Sequence, residues 1–316
     1  MAISPRAFSR LALANFAAMV LIIATGAAVR LTGSGLGCPD WPNCFRHQLT
    51  APLGQVHSVI EDANRLVTVL LVVLTVVTVV AALLRAPRRR DLVWLSAGLV
   101  GGVVADAFLG AIVVYTKLNP WLVSSHMALS LGMVVLAGVL FHRATHRYDP
   151  GARHERRCQW TVPLARWLWV PLTLTLLAGM ATTGSGPHSG GSQGQDVARR
   201  LPFALHDAAW VHSVCAVAFL GVVAGAYLVL ERSGAATRVT TGARRLLVVG
   251  AAQGIIGVVQ YATHLPVLLV ELHVIGAVSI TIGVLHFQLA QVARDREIGL
   301  ERAVAVEPAA SPLVPL

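Results

Sequence analysis

Eight apolar segments divide this chain, each about 20 residues long and so able to cross the hydrocarbon core of a bilayer as a helix. They fall near 11–29, 58–84, 92–116, 121–142, 161–182, 205–230, 245–263 and 266–290. A helix satisfies its own backbone hydrogen bonds in lipid, where water cannot. The chain therefore reads as an all-α integral membrane protein with eight transmembrane helices. Of its 316 residues, 55% are hydrophobic and 13% charged, and mean hydropathy is +0.68, a balance that soluble domains seldom show. The first segment follows Arg6 and Arg10 as a signal peptide would. Its apolar run is longer than a typical signal core, and seven more segments follow, so it reads as the first span.

The net charge of +10 comes from cations in the loops. Arg6 and Arg10, Arg85 to Arg90, Arg143 to Arg157, Arg232 to Arg245 and Arg294 to Arg302 fall on one side. The other side holds only Arg30, Arg46, Lys117, Arg199 and Arg200. Cations gather on the cytoplasmic side, which predicts a multi-pass cell-membrane protein with both termini inside. The clusters lie between spans, so nucleic acid is excluded as their partner. The end of the chain, "VEPAASPLVPL", is Pro- and Ala-rich and predicts a disordered tail over 297–316.

The chain also repeats itself. "LGAIVVYTKLNPWLVSSH" (109–126) returns as "IGVVQYATHLPVLLVELH" (256–273), so that Gly110 matches Gly257, Thr116 matches Thr263 and His126 matches His273. Asp106 falls on Gln253, and "TGSG" occurs at 32–35 and 183–186. Four spans per half is an even number, so both halves run in the same direction, a parallel duplication. This predicts two pseudo-twofold-related four-helix bundles, 1–150 and 151–296, with one internal site each.

Of twelve histidines, His142, His146 and His154 sit among inner-loop arginines, His47 and His188 lie in outer loops, and His286 is near an inner helix end. His57, His126, His206, His212, His264 and His273 lie near the outer ends of spans. A histidine in a membrane helix needs a partner. For any one of them an interhelical hydrogen bond serves. For a repeated pair, His126 and His273, with His212 at similar depth, ligation of a metal or heme is the better explanation. Two His from facing helices can clamp one heme ring. Zinc fits less well, because the ligands come from separate helices without close-spaced Cys or His. By symmetry His212 pairs with His273, and His126 should face a His near position 64, where the sequence has Asn64.

Several stretches together resemble the heme A synthase family over nearly all of 11–290. They are "RLTGSGLGCPDWPNC" (30–44), Glu61 and Arg65 of "EDANR", the two repeated segments, and "TGSGPH" (183–188). That family oxidises a methyl substituent of heme O to a formyl group, giving heme A for cytochrome c oxidase. The resemblance implies heme b held by His212 and His273 in the C-terminal half. It implies substrate heme O at His126 in the N-terminal half and a catalytic carboxylate at Glu61. It matches Cys38 and Cys44 to an outer-loop cysteine pair, and the loop at 183–206 has no Cys where the family has a second pair. The family carries His at the position of Asn64. Its heme O synthase and cytochrome c oxidase assembly factors are expected partners besides the lipid bilayer, and a homo-oligomer remains open.

On a helix, His57, Glu61 and Asn64 share a face. An amide is a poor iron ligand but a versatile hydrogen-bonding group. Either His126 alone holds the substrate iron, with Asn64 placing a water or touching the porphyrin, or His57 supplies the second ligand from about 10 Å nearer the outer surface. Glu61 is a proton acceptor or charge stabiliser for methyl oxidation, or an interfacial acid favoured by a helix start. Arg65 has Glu61, Asp106 or a heme propionate as candidate partners. Five residues between Cys38 and Cys44 permit a disulfide on the oxidising side, either a loop staple or a redox pair. Cys215, one turn after His212, reads as a small apolar residue, and Cys158 as a free thiol. A quinol-linked diheme b-type electron carrier is the second class of function. A transporter is the third, disfavoured because the polar groups gather at the outer helix ends.

Overall fold

The computed structural model describes residues 2–145, 161–191 and 198–306, with side chains of 161–162 and 290–306 excepted. Cys158, His146 and His154 lie outside the described residues. The described residues form helices α1 (Pro5–Leu31), α2 (Val56–Leu84), α3 (Arg90–Tyr115), α4 (Pro120–Thr145), α5 (Thr161–Trp167), α6 (Trp169–Ser185), α7 (Leu205–Arg232), α8 (Thr237–Ala262) and α9 (Val267–Val306). Eight spans are long and apolar enough to cross a membrane, α5 and α6 together supplying one from Pro163 to Ser185. The break between α5 and α6 falls where Pro171 has no N–H to donate to the Trp167 carbonyl. Helix α9 continues to Val306, so the segment expected as a tail from 297 begins in helix, while 307–316 lie outside the described residues.

Helix ends follow the local sequence. Ser4 caps α1 by accepting from the Ala7 N–H at 3.2 Å, with Pro5 in the first turn. The TGSG after α1 closes it: Gly33 takes φ 69°, its N–H reaches the Arg30 carbonyl, and the Ser34 N–H reaches Val29 at 2.9 Å. The repeated segments end their helices alike but without glycine. Lys117 and Leu118 take φ 54° and 58°, and their repeat equivalents His264 and Leu265 take 64° and 61°. The Leu118 N–H bonds Val113 at 2.8 Å, and that of Leu265 bonds Gln260 at 2.7 Å.

Helix α1 packs on α2 and α4, and α3 packs on the same two, so the first four helices close a ring. In the second half α6 packs on α7, α7 on α8 and α8 on α9. Helices α1 and α4 meet α9 across the middle. The first core joins Phe8, Ala12, Leu92, Leu99, Val134 and Leu140, all fully buried; the second centres on Leu168, Val223, Leu230 and Val284. Asn15, fully buried, donates to Thr78 Oγ1 at 2.5 Å and joins α1 to α2; small polar residues act as such glue between membrane helices. The outward faces stay apolar, as along Leu66, Val69, Leu70, Val73 and Val77 of α2.

Candidate functional site

Helices α7 and α9 bring His212 and His273 together, with ring centroids 6.1 Å apart and planes at 80°. Two metal–imidazole bonds of about 2 Å, plus the distance from each bonding nitrogen to its ring centre, sum to roughly 6 Å. The spacing therefore fits one iron between the rings. His212 Nδ1 lies 3.0 Å from the Thr175 carbonyl of α6. A backbone acceptor there holds the proton on Nδ1 and leaves Nε2 as a ligand. Glycines make room for both rings. A Cβ at Gly179 would come within 3.0 Å of His212, and one at Gly257 within 3.0 Å of His273.

In the other half, His126 of α4 lies over Gly110 of α3, where a Cβ would stand 3.5 Å from the ring. Its Nδ1 is 2.7 Å from Asp106 Oδ1, a contact close in distance but bent, outside hydrogen-bond geometry. Ser130 donates to the second carboxylate oxygen, Oδ2, at 2.5 Å. Asp106, whose partner the sequence left open, thus belongs to His126. Asn64 accepts from Thr25 of α1 at 2.8 Å.

The start of α2 serves the loop before it. Glu61, 5% exposed, accepts from the Cys38 N–H at 2.8 Å and pairs with Arg65 at 2.6 Å. The Arg65 guanidinium also donates to the carbonyls of Cys38, Asp40 and Asn43. Of its two candidate partners within the chain, Glu61 is the one engaged. Cys38 and Cys44 form a disulfide, so Arg65 grips the ring of chain that the disulfide closes. Tyr115 of α3 donates to the Trp41 carbonyl at 2.9 Å. The loop crosses α2 so closely that a Cβ at Gly37 would lie 2.5 Å from the His57 carbonyl.

The remaining histidines sort by partner. His57 Nδ1 lies 2.9 Å from Ser34 Oγ. His188 Nε2 meets the Leu265 carbonyl at 2.8 Å, and His206 Nδ1 is 3.3 Å from the Tyr261 hydroxyl. His264 is an exposed turn residue, and Cys215 is half-buried with a free thiol. Among the described residues, no group of three or more His, Cys, Asp or Glu is placed to hold a bare metal ion. Sequence reasoning missed Asn15, Ser130 and the structural use of Arg30. The half-buried Arg30, at the end of α1, donates to the carbonyls of Thr183 at 2.9 Å and His188 at 2.8 Å.

Known proteins resemble this chain over part of its length. A heme A synthase of Geobacillus kaustophilus (strain HTA426) is 33% identical over 109 residues, 34% of this chain and 33% of that protein. One from Geobacillus thermodenitrificans is 34% identical over 110 residues, 34% of this chain and 33% of that protein. One from Lysinibacillus sphaericus (strain C3-41) is 30% identical over 123 residues, 38% of each. The chain thus matches about a third of the length of these curated relatives. The sequence model of the COX15-CtaA family, described as cytochrome oxidase assembly protein, matches residues 9–185, more than half of the chain. By that match this all-helical membrane chain belongs to the COX15-CtaA family of cytochrome oxidase assembly proteins.

Proposed function

We propose that this protein is a heme A synthase, an oxidoreductase that converts a methyl substituent of heme O to a formyl group. The observation that carries the reading is the unequal equipment of the two halves. One half brings two histidines, His212 and His273, to a spacing that fits one iron. The other offers His126 backed by Asp106, with an amide, Asn64, where symmetry calls for a second histidine. A resident cofactor gains from two ligands. A substrate that must leave as product gains from fewer.

In this reading His212 and His273 hold heme b, which would supply one-electron chemistry when bound. His126 holds the substrate heme O. The Thr175 carbonyl and Asp106 orient their respective imidazoles. Glu61 is the carboxylate for proton transfer at the reacting methyl, held in place by the Cys38 N–H and Arg65. The Cys38 bond, with those from Arg65 to the loop carbonyls, also fixes the disulfide loop to α2, so loop and carboxylate keep one geometry. The halves form two related bundles, their sites toward the outer face and both termini inside the cell. Family membership and names shared with partial relatives support the reading.

Expression of the full chain in a host that makes heme O, followed by pigment extraction, tests it. Heme A should appear with the wild type and vanish with His126→Ala. Recovery of unmodified heme alone, reducible by a quinol, would instead make the protein a b-type electron carrier.

A further inference from the structure

The repeat relates His126 to His273, yet their surroundings differ at two positions on two helices. Near His126 stand Asp106 on α3 and Ser130 on α4; their equivalents, at the same spacing of 147 that takes Gly110 to Gly257, are Gln253 and Ala277. Ser130 lies one turn beyond His126, so α4 presents both to the same carboxylate. Its hydroxyl fixes Asp106 Oδ2 at 2.5 Å, which leaves Oδ1 beside His126 Nδ1 at 2.7 Å. That nitrogen is buried, while the His126 side chain as a whole is 40% exposed. Exposure therefore belongs to the rest of the ring. Around His273 the arrangement is absent. Gln253 Nε2 donates at 2.6 Å to the His273 backbone carbonyl, and the His273 ring is met by the Gln253 backbone rather than by a carboxylate. An acid in a membrane helix is costly to keep, and this one has both oxygens directed at α4.

We infer that Asp106, clamped by Ser130, is a positioning residue that holds His126 with its proton on Nδ1 and Nε2 toward the substrate iron. It makes His126 a stronger electron donor than its counterpart His273. The inference rests on the reading of His126 as the substrate-heme ligand. A carboxylate on the far nitrogen of a ligating imidazole fixes its tautomer and raises its basicity. A more basic ligand favours ferric over ferrous iron. The acid thus strengthens the one histidine of a site whose second ligand position holds Asn64.

Hemin is the probe, added to the full-length protein purified in detergent. The N-terminal site is defined as the absorbance change lost in His126→Ala, and the C-terminal site as that lost in His212→Ala. Asp106→Asn should weaken ferric hemin at the first site by roughly 10- to 100-fold. It should raise that site's midpoint potential by about 59 mV for each tenfold loss of ferric preference. Ser130→Ala should shift both in the same direction by less, and Asp106→Glu should restore part of each. The second site should be unaffected and reports that the variant is folded. Unchanged affinity and midpoint in Asp106→Asn, with the second site intact, would overturn the inference alone. Should Asp106→Asn lose the second site as well, Ser130→Ala decides, and an unchanged midpoint there rejects the role. Absence of any His126-dependent signal in the wild type would overturn the ligand assignment itself, and the inference with it.

Discussion

In the proposed function, single residues set the heme chemistry through what lies beneath each ring. His212 and His273 rest against Gly179 and Gly257 with no slack, since a Cβ at either would meet its ring at 3.0 Å. Gly110 leaves 3.5 Å under His126, an ordinary van der Waals distance. Gly179→Ala or Gly257→Ala should therefore displace a ring and lower the low-spin heme absorbance per protein. Gly110→Ala should leave the His126-dependent hemin spectrum nearly unchanged. His57 points a ring nitrogen to Ser34, so His57→Ala should also keep that spectrum. Its loss would make His57 the second ligand. These pairings were legible in part. The repeat singled out His126 and His273, and depth added His212. The glycines gave a signal too, since Gly110 and Gly257 occupy matching positions. Asp106 could not be paired from the sequence, because its partners lie on α4 and the facing of two helices depends on their packing.

At the scale of elements, α2 and the loop before it behave as one piece. Arg65 donates to three loop carbonyls, and Glu61 accepts from a loop N–H. Arg65→Met would leave those carbonyls without their donor, at about 1–3 kcal/mol for each that stays buried. It should speed reduction of Cys38–Cys44 by a water-soluble phosphine, and Arg65→Lys should do so less. The sequence offered Glu61, one turn away, as one of three candidate partners for Arg65, but not the grip of either residue on the loop. The loop's path follows from backbone crossings such as Gly37 over His57, which no periodicity encodes. The left-handed backbone of the turns after α3 and α8 was hidden for another reason. Lys117, Leu118, His264 and Leu265 are not residues that ordinarily announce a left-handed backbone. The eight spans were legible because continuous apolar length is a strong signal. Their ends moved by several residues, as where α8 starts at Thr237 rather than near 245, because its first turns carry charge.

Across the whole molecule, the halves are joined at the C-terminal ends of α1 and α6. Besides the two Arg30 bonds, the Gly35 N–H reaches the Gly190 carbonyl at 2.8 Å. Arg30→Met should lower the melting temperature in detergent, since each buried carbonyl left unpaired costs about 1–3 kcal/mol. The loss should exceed that of Arg46→Met, because Arg46 is exposed. Arg30 also imposes an order in time. Its acceptors, Thr183 and His188, come 153 and 158 residues later in the chain. At a synthesis rate of about 5–20 residues per second they emerge roughly 8–30 s after it. Through that interval Arg30 has neither of these acceptors available. In a chain truncated after residue 150, an Arg30→Cys variant should react with a water-soluble maleimide. In the full chain the same position should be protected, so that the closing of this one site marks the moment when assembly is complete.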